Sequence, residues 1–422
     1  MREMKDSGIE WVGQIPFSWD VKPIRAKFRE VTEKNKLGIE KNALKFTYGN
    51  IVKKDNFDAA DDDYVANTIL NYMVVNPGTI MLNGLNLNFD FVTQRVALVK
   101  ERGIITSAYI AFAPILDDDI STQFFTYLLK AYDSCKAFHN MGGGVRKILN
   151  FAELKKQYIV YPTITEQKRI VNFLDAKCAE IDALTADIQT QIDILEQYKR
   201  SVITEAVTKG LNPDAEMKDS GVFYMAPMNA KWRLTKIGYI CTKLSRLFTP
   251  EDTALICSNS GKVLVRPDDV TGKMVSDDNA MQGIHAGDIA IHGMDTWHGA
   301  IALSDYDGKI TRVVHVCDST EEKRFIVYYL QHLAFQGVYK LISNGVRGNT
   351  SDFRSWDKVR DIWIAIPKTK EEQKNICDYL DRQCKSVEEV IAAKKEQLEV
   401  LDDYKKSLIY EYVTGKKEVP AI

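Results

Sequence analysis

A strong charge of either sign is missing from this 422-residue chain, in which 56 Lys and Arg stand against 58 Asp and Glu for a formal net charge of −2. A domain that grips nucleic acid unaided is usually basic, so tight binding of a polyanion by the chain alone is not expected. Long apolar runs are missing too. None approaches the roughly 18 residues of a membrane span, and the opening "MREMKDSGIEW" has no apolar signal segment. The expected setting is the cytoplasm, with no membrane contact. Cysteine is sparse and unpaired in pattern: seven residues, no CxxC. That excludes a zinc module of the usual spacing and suits reduced thiols.

Catalytic signatures are also lacking. "MGGGVR" (Met141–Arg146) is followed by no Gly-Lys-Ser/Thr, so it is a flexible turn rather than a P-loop. "RPDDVTGK" from Arg266 and "EEK" at Glu321–Lys323 only superficially resemble a metal-dependent nuclease. No Asn/Asp-Pro-Pro-aromatic stretch offers an adenine methyltransferase pocket. His285, His292, His298 and His315 lie close in sequence, but no acid or cysteine completes a ligand set, and no metal is expected.

What the chain does have is a repeat. "MKDSG" stands at residues 4–8 and again at 217–221, and Gln167–Thr208 aligns without a gap to Gln373–Thr414, with sixteen identities in 42 positions. Each copy follows a proline, Pro162 or Pro367, which ends the preceding strand. The first then starts on the polar run Thr165–Lys168. From Ile170 on, neither copy contains Gly or Pro until Gly210 and Gly415. Apolar residues recur at helical spacing: Ile181, Leu184, Ile188, Leu195 and Tyr198 in the first, Val387, Val390, Leu398, Leu401 and Tyr404 in the second. Each stripe either covers its own domain or packs on its twin as a coiled-coil seam. About 40 residues at about 1.5 Å each exceed the width of a small domain, which favours the seam.

The stretches before these helices match weakly but share landmarks. "NPGTIMLNGLN" (Asn76–Asn86) corresponds to "HAGDIAIHGMD" (His285–Asp295), "GIITSAYIAF" (Gly103–Phe112) to "GKITRVVHVC" (Gly308–Cys317), and "GGGVR" to "SNGVR" (Ser343–Arg347). Short β-branched runs between Gly/Asn/Asp turns predict strands, with one helix near Thr122–Lys136 and another near Arg324–Gln336. The expected fold is α+β: two α/β recognition domains (1–162 and 211–366, the latter including the linker) and two long antiparallel helices (163–210 and 367–422) in a pseudo-two-fold internal repeat. The tail "TGKKEVPAI" begins a linker like "TKGLNPDAEMKDSG", and the N-terminus completes it, so the chain ends are expected to meet.

Polar loops are the candidate binding surface, because Asn and Arg read adenine and guanine edges bidentately. In the first domain they offer Asn50, Lys53 and Lys54, then Asn83 and Asn86, then Asn140, Arg146 and Lys147. In the second they offer His292 and His298, then Asn344, Arg347 and Asn349. Such loops are base readers or solvated turns; composition alone does not decide. Arg146 and Arg347, in equivalent "GVR" loops, either contact DNA or hold a turn.

Two dissimilar domains, each followed by a near-identical long helix opening P-x-x-x-E-Q-x-x-I-x-x-x-L-D after Pro162 or with one further residue after Pro367, resemble the DNA-specificity subunit of type I restriction–modification systems. "MKDSGIEWVGQIPFSW" (Met4–Trp19) is similar to that family's entry segment, although its second copy has "MNAKW" ending at Trp232. The resemblance implies a non-catalytic chain whose domains each read half of a split, asymmetric double-stranded DNA target. It implies helices that set the gap and dock two methyltransferase subunits. S-adenosylmethionine would belong to those subunits, and ATP and Mg to restriction–translocase subunits. The domains carry 19 Lys/Arg against 16 Asp/Glu (20–160) and 17 against 16 (231–365), so phosphate contact would fall largely to partners. A pseudo-symmetric protein scaffold that never reads DNA is the alternative.

Overall fold

Proline followed by threonine starts both long helices in the computed structural model, which describes residues 2–54, 69–89, 91, 94–116, 118–143, 147–267, 280–343 and 353–420. Thr163 and Thr369 accept the amides of Glu166 and Glu372 at 3.4 and 3.3 Å, satisfying orphan donors of the first turn. The first helix therefore begins one residue before the Thr165 start read from sequence. We label the four longer helices α1 (Thr122–Ser134), α2 (Ile164–Thr208), α3 (Lys323–Phe335) and α4 (Lys370–Val413).

The chain divides into two units: residues up to Ile188 with those from Glu396 on, and Gln189–Lys395. Each contains one recognition domain, the start of one long helix and the end of the other.

In the first unit a four-stranded antiparallel sheet runs Phe28–Glu30, Ile110–Pro114, Ile80–Leu82, Val96–Leu98. In the second the order is Cys241–Lys243, Val314–Ser319, Ile289–His292, Ile301–Leu303. The two sheets thus use the paired landmarks of the sequence at equivalent places. α1 and α3 cover them. The first core joins Trp19, Phe112, Phe124 and Phe125 to Leu174 of α2 and Val413 of α4. The second joins Trp232, Phe325, Tyr329 and Leu330 to Leu380 of α4 and Val207 of α2.

The junction of helix and domain is built twice from the same side chains. Trp19 Nε1 donates to Glu166 at 2.9 Å, and Trp232 Nε1 to Glu372 at 2.9 Å. Gln167, fully buried, accepts the Ser121 amide at 2.8 Å and donates to the Pro162 carbonyl at 2.9 Å. Gln373, also fully buried, accepts the Glu322 amide at 2.9 Å and donates to Pro367 at 3.1 Å. One turn on, Tyr127 donates to Asp175 at 2.8 Å and Tyr328 to Asp381 at 2.7 Å. Gly210 and Gly415 end the helices with φ of +91° and +72°, and a Cβ on Gly415 would sit 2.4 Å from Pro16.

Within each unit the long-helix segments run antiparallel. In the first, Phe173 stacks on Tyr412 at 4.5 Å and Lys405 pairs with Asp182. In the second, Lys394 donates to Gln191 and Lys199 pairs with Glu388. Ile181, Ile188 and Val387 are buried in the seam, and Leu195, Leu398 and Leu401 are half-buried. Four expected seam residues are not in it. Leu184, Tyr198, Val390 and Tyr404 are 47%, 50%, 43% and 54% exposed. The seam passes one residue later, through Thr185, Lys199, Ile391 and Lys405. An apolar stripe alone misplaces it, because Lys199 and Lys405 snorkel into it and pair across it.

The chain ends come together in the first unit, as the circular reading expects. Tyr410 donates to the Trp11 carbonyl at 3.0 Å, Lys416 reaches the Gln14 carbonyl, and Arg169 holds the Val419 carbonyl at 2.6 Å.

Two outcomes follow from these cores. Gln373→Leu would leave the Glu322 amide and the Pro367 carbonyl without their partner, costing about 2–3 kcal/mol. Hydrogen exchange should show the second unit opening more readily while peptides of the first keep their protection. His332 in α3, bonded to Thr204 at 3.0 Å, is held down to about 4 by burial, against an ordinary 6.5. His292 and His315 of the same unit are lowered by burial as well. The unfolded chain then takes up protons that the folded unit refuses, so stability is full above the ordinary value and falls as pH drops from 6.5 toward about 4. His332→Gln should flatten that fall by up to about 1.4 kcal/mol per pH unit in melts of the full chain.

Candidate nucleic-acid interface

In each unit an inner strand of the sheet ends in a polar loop that is held partly by its own side chains. After Ile80–Leu82 the chain turns at Asn83, whose Oδ1 accepts the Leu85 amide at 3.1 Å. After Ile289–His292 it turns at His292, whose Nδ1 accepts the amides of Met294 and Asp295 at 3.4 and 3.1 Å. Asn83 and His292 thus cap their own loops. Burial lowers the His292 imidazole below its ordinary value, although Asp295, 3.2 Å from the same Nδ1, pulls the other way.

Each of these loops closes on a second one. Leu149 N donates to the Gly84 carbonyl at 2.9 Å, and a Cβ on Gly84 would stand 2.4 Å from the Leu149 carbonyl oxygen. In the second unit Phe353 N donates to the Gly293 carbonyl at 3.1 Å, and a Cβ on Gly293 would stand 2.7 Å from the Phe353 oxygen. Glycine is required at both by backbone approach. Asn83, Asn86 and Lys147 are brought to one end of the first unit this way, with Leu87 N donating to the Lys147 carbonyl at 3.2 Å. Asn86 (φ +53°) and Lys147 (φ +36°) are exposed in left-handed backbone. Asn140 is exposed at the end of the short turn Ala137–Asn140.

Asn50, Lys53 and Lys54 lie on a separate hairpin, Leu44–Thr47 with Asn50–Lys53, and all three are exposed. Asn50 Nδ2 donates to the Tyr48 carbonyl at 3.2 Å. His298 is exposed at the end of the turn Thr296–His298. Arg146, Asn344, Arg347 and Asn349 lie outside the described residues. The four clustered histidines do not converge: His285 faces Asp307, His292 caps its loop, and His315 Nε2 contacts the Phe353 carbonyl at 2.7 Å. Among the described residues no group of three or more His, Cys, Asp or Glu is placed to hold a metal ion, and no helix is long and apolar enough to cross a membrane.

Sequence reasoning misses Arg95. Fully buried, it donates to the carbonyls of Asn83 and Leu85 at 3.0 and 2.8 Å, while its amide donates to Asp133 at 2.7 Å. Burial pushes the Asp133 carboxyl up, and the Arg95 amide and guanidinium pull it back. The position equivalent to Arg95 beside the other sheet is Ala300, whose carbonyl accepts from His292 as that of Arg95 accepts from Asn83. The first loop is therefore held by an arginine behind it and the second by its own histidine. Nothing in "QRVALVK" distinguishes Arg95 from a surface cation.

With this geometry in place, comparison with known proteins is informative. Residues 23–193 match the sequence family described as the type I restriction modification DNA specificity domain. A protein of Methanocaldococcus jannaschii, provisionally named type I restriction enzyme MjaX specificity subunit, is 21% identical over 97% of this chain and 96% of its own. A chain solved in work on complex assembly and conformational transition of the type I R-M system superposes with a TM-score of 0.65 at 14% identity, over 96% of this chain and 99% of that one. The HsdS subunit of Thermoanaerobacter tengcongensis is 15% identical, with a TM-score of 0.44 over 96% of this chain and 98% of its own. Residues 23–193 thus match the type I restriction modification DNA specificity domain, and the chain along nearly its whole length is similar to a provisionally named type I restriction enzyme specificity subunit.

Proposed function

We propose that the chain is the non-catalytic specificity subunit of a type I restriction–modification complex acting in the cytoplasm, and that each domain reads one half of a bipartite, asymmetric double-stranded DNA target. One observation carries this reading. The Trp–Glu, Gln and Asp–Tyr junction is built identically in both units, while the loops that follow the third strand of each sheet share little beyond their glycines. A common frame with two different reading loops suits two unrelated half-sites. The family's description as a DNA specificity domain favours it over a scaffold that never meets DNA.

The long helices set the gap between half-sites and dock two methyltransferase subunits. Support comes from positions that are identical in both repeats yet exposed: Tyr198 and Ser201, one turn apart on α2, recur as Tyr404 and Ser407 on α4. Among the described residues no hydrogen bond or ring contact holds the two exposed tyrosines, and one partner surface met twice would account for both. The shared fold with a chain from work on type I R-M assembly supports joining other subunits. S-adenosylmethionine then sits in the methyltransferase partners, and ATP and Mg in the restriction–translocase partners.

Exchanging residues 20–160 for the equivalent segment of another family member tests the reading. Methylome sequencing should return one altered half-site and one retained; two altered half-sites reject modular reading. Tyr198→Ala with Tyr404→Ala should leave the melting temperature within a degree or so while weakening methyltransferase binding at least tenfold, about 1.4 kcal/mol. Unchanged partner affinity in a titration would place docking elsewhere.

A further inference from the structure

The first unit contains a groove of about 910 Å³ bounded by the tip of the Thr47–Asn50 hairpin, by α1 and by the long-helix segments. Most charges lining it are already paired. Asp175 accepts from Gln123 at 2.7 Å as well as from Tyr127, Asp182 holds Lys405, Asp402 holds Lys406 at 2.6 Å, and Lys136 donates to the Phe91 carbonyl. Lys130 of α1 differs. Its side chain is half-buried, and its ammonium meets no acceptor among the described residues. Burial, then the like charges of Lys405 and Lys100, hold it below the ordinary lysine range.

An unpaired cation taken out of water costs free energy, and the fold does not need one here. In the second unit, the equivalence of Tyr127 with Tyr328 sets Gln331 opposite Lys130, and Gln331 is neutral and bonded to the Ile301 carbonyl at 2.7 Å. Among the described residues the ammonium is therefore a feature of the first unit alone, and it is open to an anion from outside the chain. At the groove's mouth Tyr48 is 72% exposed and held at φ +44°, beside Gly49, Asn50 and Gln94. A non-glycine residue in left-handed backbone with its ring in solvent is held there at a cost, and an exposed ring is a stacking surface for a base.

We propose that this groove is the phosphate track of the first unit: Lys130, with Lys100 at the rim, takes one backbone phosphate of the DNA, and Tyr48, Asn50 and Gln94 face the adjoining nucleotides. The assignment rests on the reading of the chain as a DNA-specificity subunit.

The test uses the full chain assembled with its methyltransferase partner, with Lys130→Gln, which copies the second unit, and Lys130→Met as a variant that keeps an apolar stem. Binding to a target duplex and to an unrelated duplex is measured by anisotropy between about 50 and 200 mM salt. One phosphate contact fewer should make the log–log salt slope shallower by about 0.9 on both duplexes, with the methylated sequence unchanged. The free variant chain should melt no lower than the parent, because a half-buried unpaired charge has gone. An unchanged slope in either folded variant overturns the proposal. So does a site that takes only small anions, seen as inorganic phosphate raising the parent's melting temperature but not the variants' while DNA slopes stay equal. If the parent complex does not prefer the target at all, the specificity reading fails instead, and the slope on the unrelated duplex still tests the track.

Discussion

Everything else in this molecule hangs on a buried glutamine at the start of each long helix. Gln167 and Gln373 are fully enclosed, and a buried primary amide must find partners or destabilise the site by the desolvation of each unmet group. Each finds them in two separate places: the proline that ends the strand before it, and the cap region of α1 or α3. The neighbouring glutamate reaches back to a fully buried tryptophan. The helix cannot slide or roll against its domain without breaking this set together. A recognition domain is thereby fixed to a rod, which is what reading a sequence at a defined distance requires.

Once the frame is rigid, the loops beyond the sheets are free to differ. Both units present a loop after the third strand of the sheet and close it on a second loop through a glycine, Gly84 or Gly293. How the loop is stiffened is local chemistry. In the first unit Arg95 reaches from behind to two carbonyls; in the second His292 folds onto two amides. Asn83 and His292, candidate readers by their type, also cap their own loops, and Asn86, Lys147 and His298 beside them are exposed. Asparagine and histidine suit either task for the same reason: a compact acceptor that matches a backbone amide also matches a base edge.

That ambiguity explains which parts of the structure were legible beforehand. The repeat, the helix length and the proline-to-helix boundary came from periodicity and composition, and those are local properties that packing did not override. The Glu166–Gln167 pair was visible as a motif but not as a device, since its partners Trp19, Ser121 and Pro162 are scattered in sequence. The seam was misplaced at Leu184, Tyr198, Val390 and Tyr404 because hydrophobicity alone cannot see a lysine that pairs across an interface. Arg95 and Lys130 gave no signal at all. A buried cation and an exposed one have the same letter, and only the third dimension separates them.

Near-neutrality, which at first argues against DNA, fits a reader that must ignore most DNA. Non-specific affinity grows with the number of phosphates a protein neutralises, each adding to a salt-dependent term blind to sequence. Cations paired inside the chain, Lys405 to Asp182, Lys199 and Lys262 to Glu388, and Arg324 to Asp378 and Asp381, add less to that term than free ones would. What remains is weighted toward base edges and shape, where the discrimination lies. The ratio of specific to non-specific binding, rather than affinity itself, is what a genome's excess of competing sites rewards. On the function proposed above, partners that supply charge only after assembly would make gripping conditional on a complete complex.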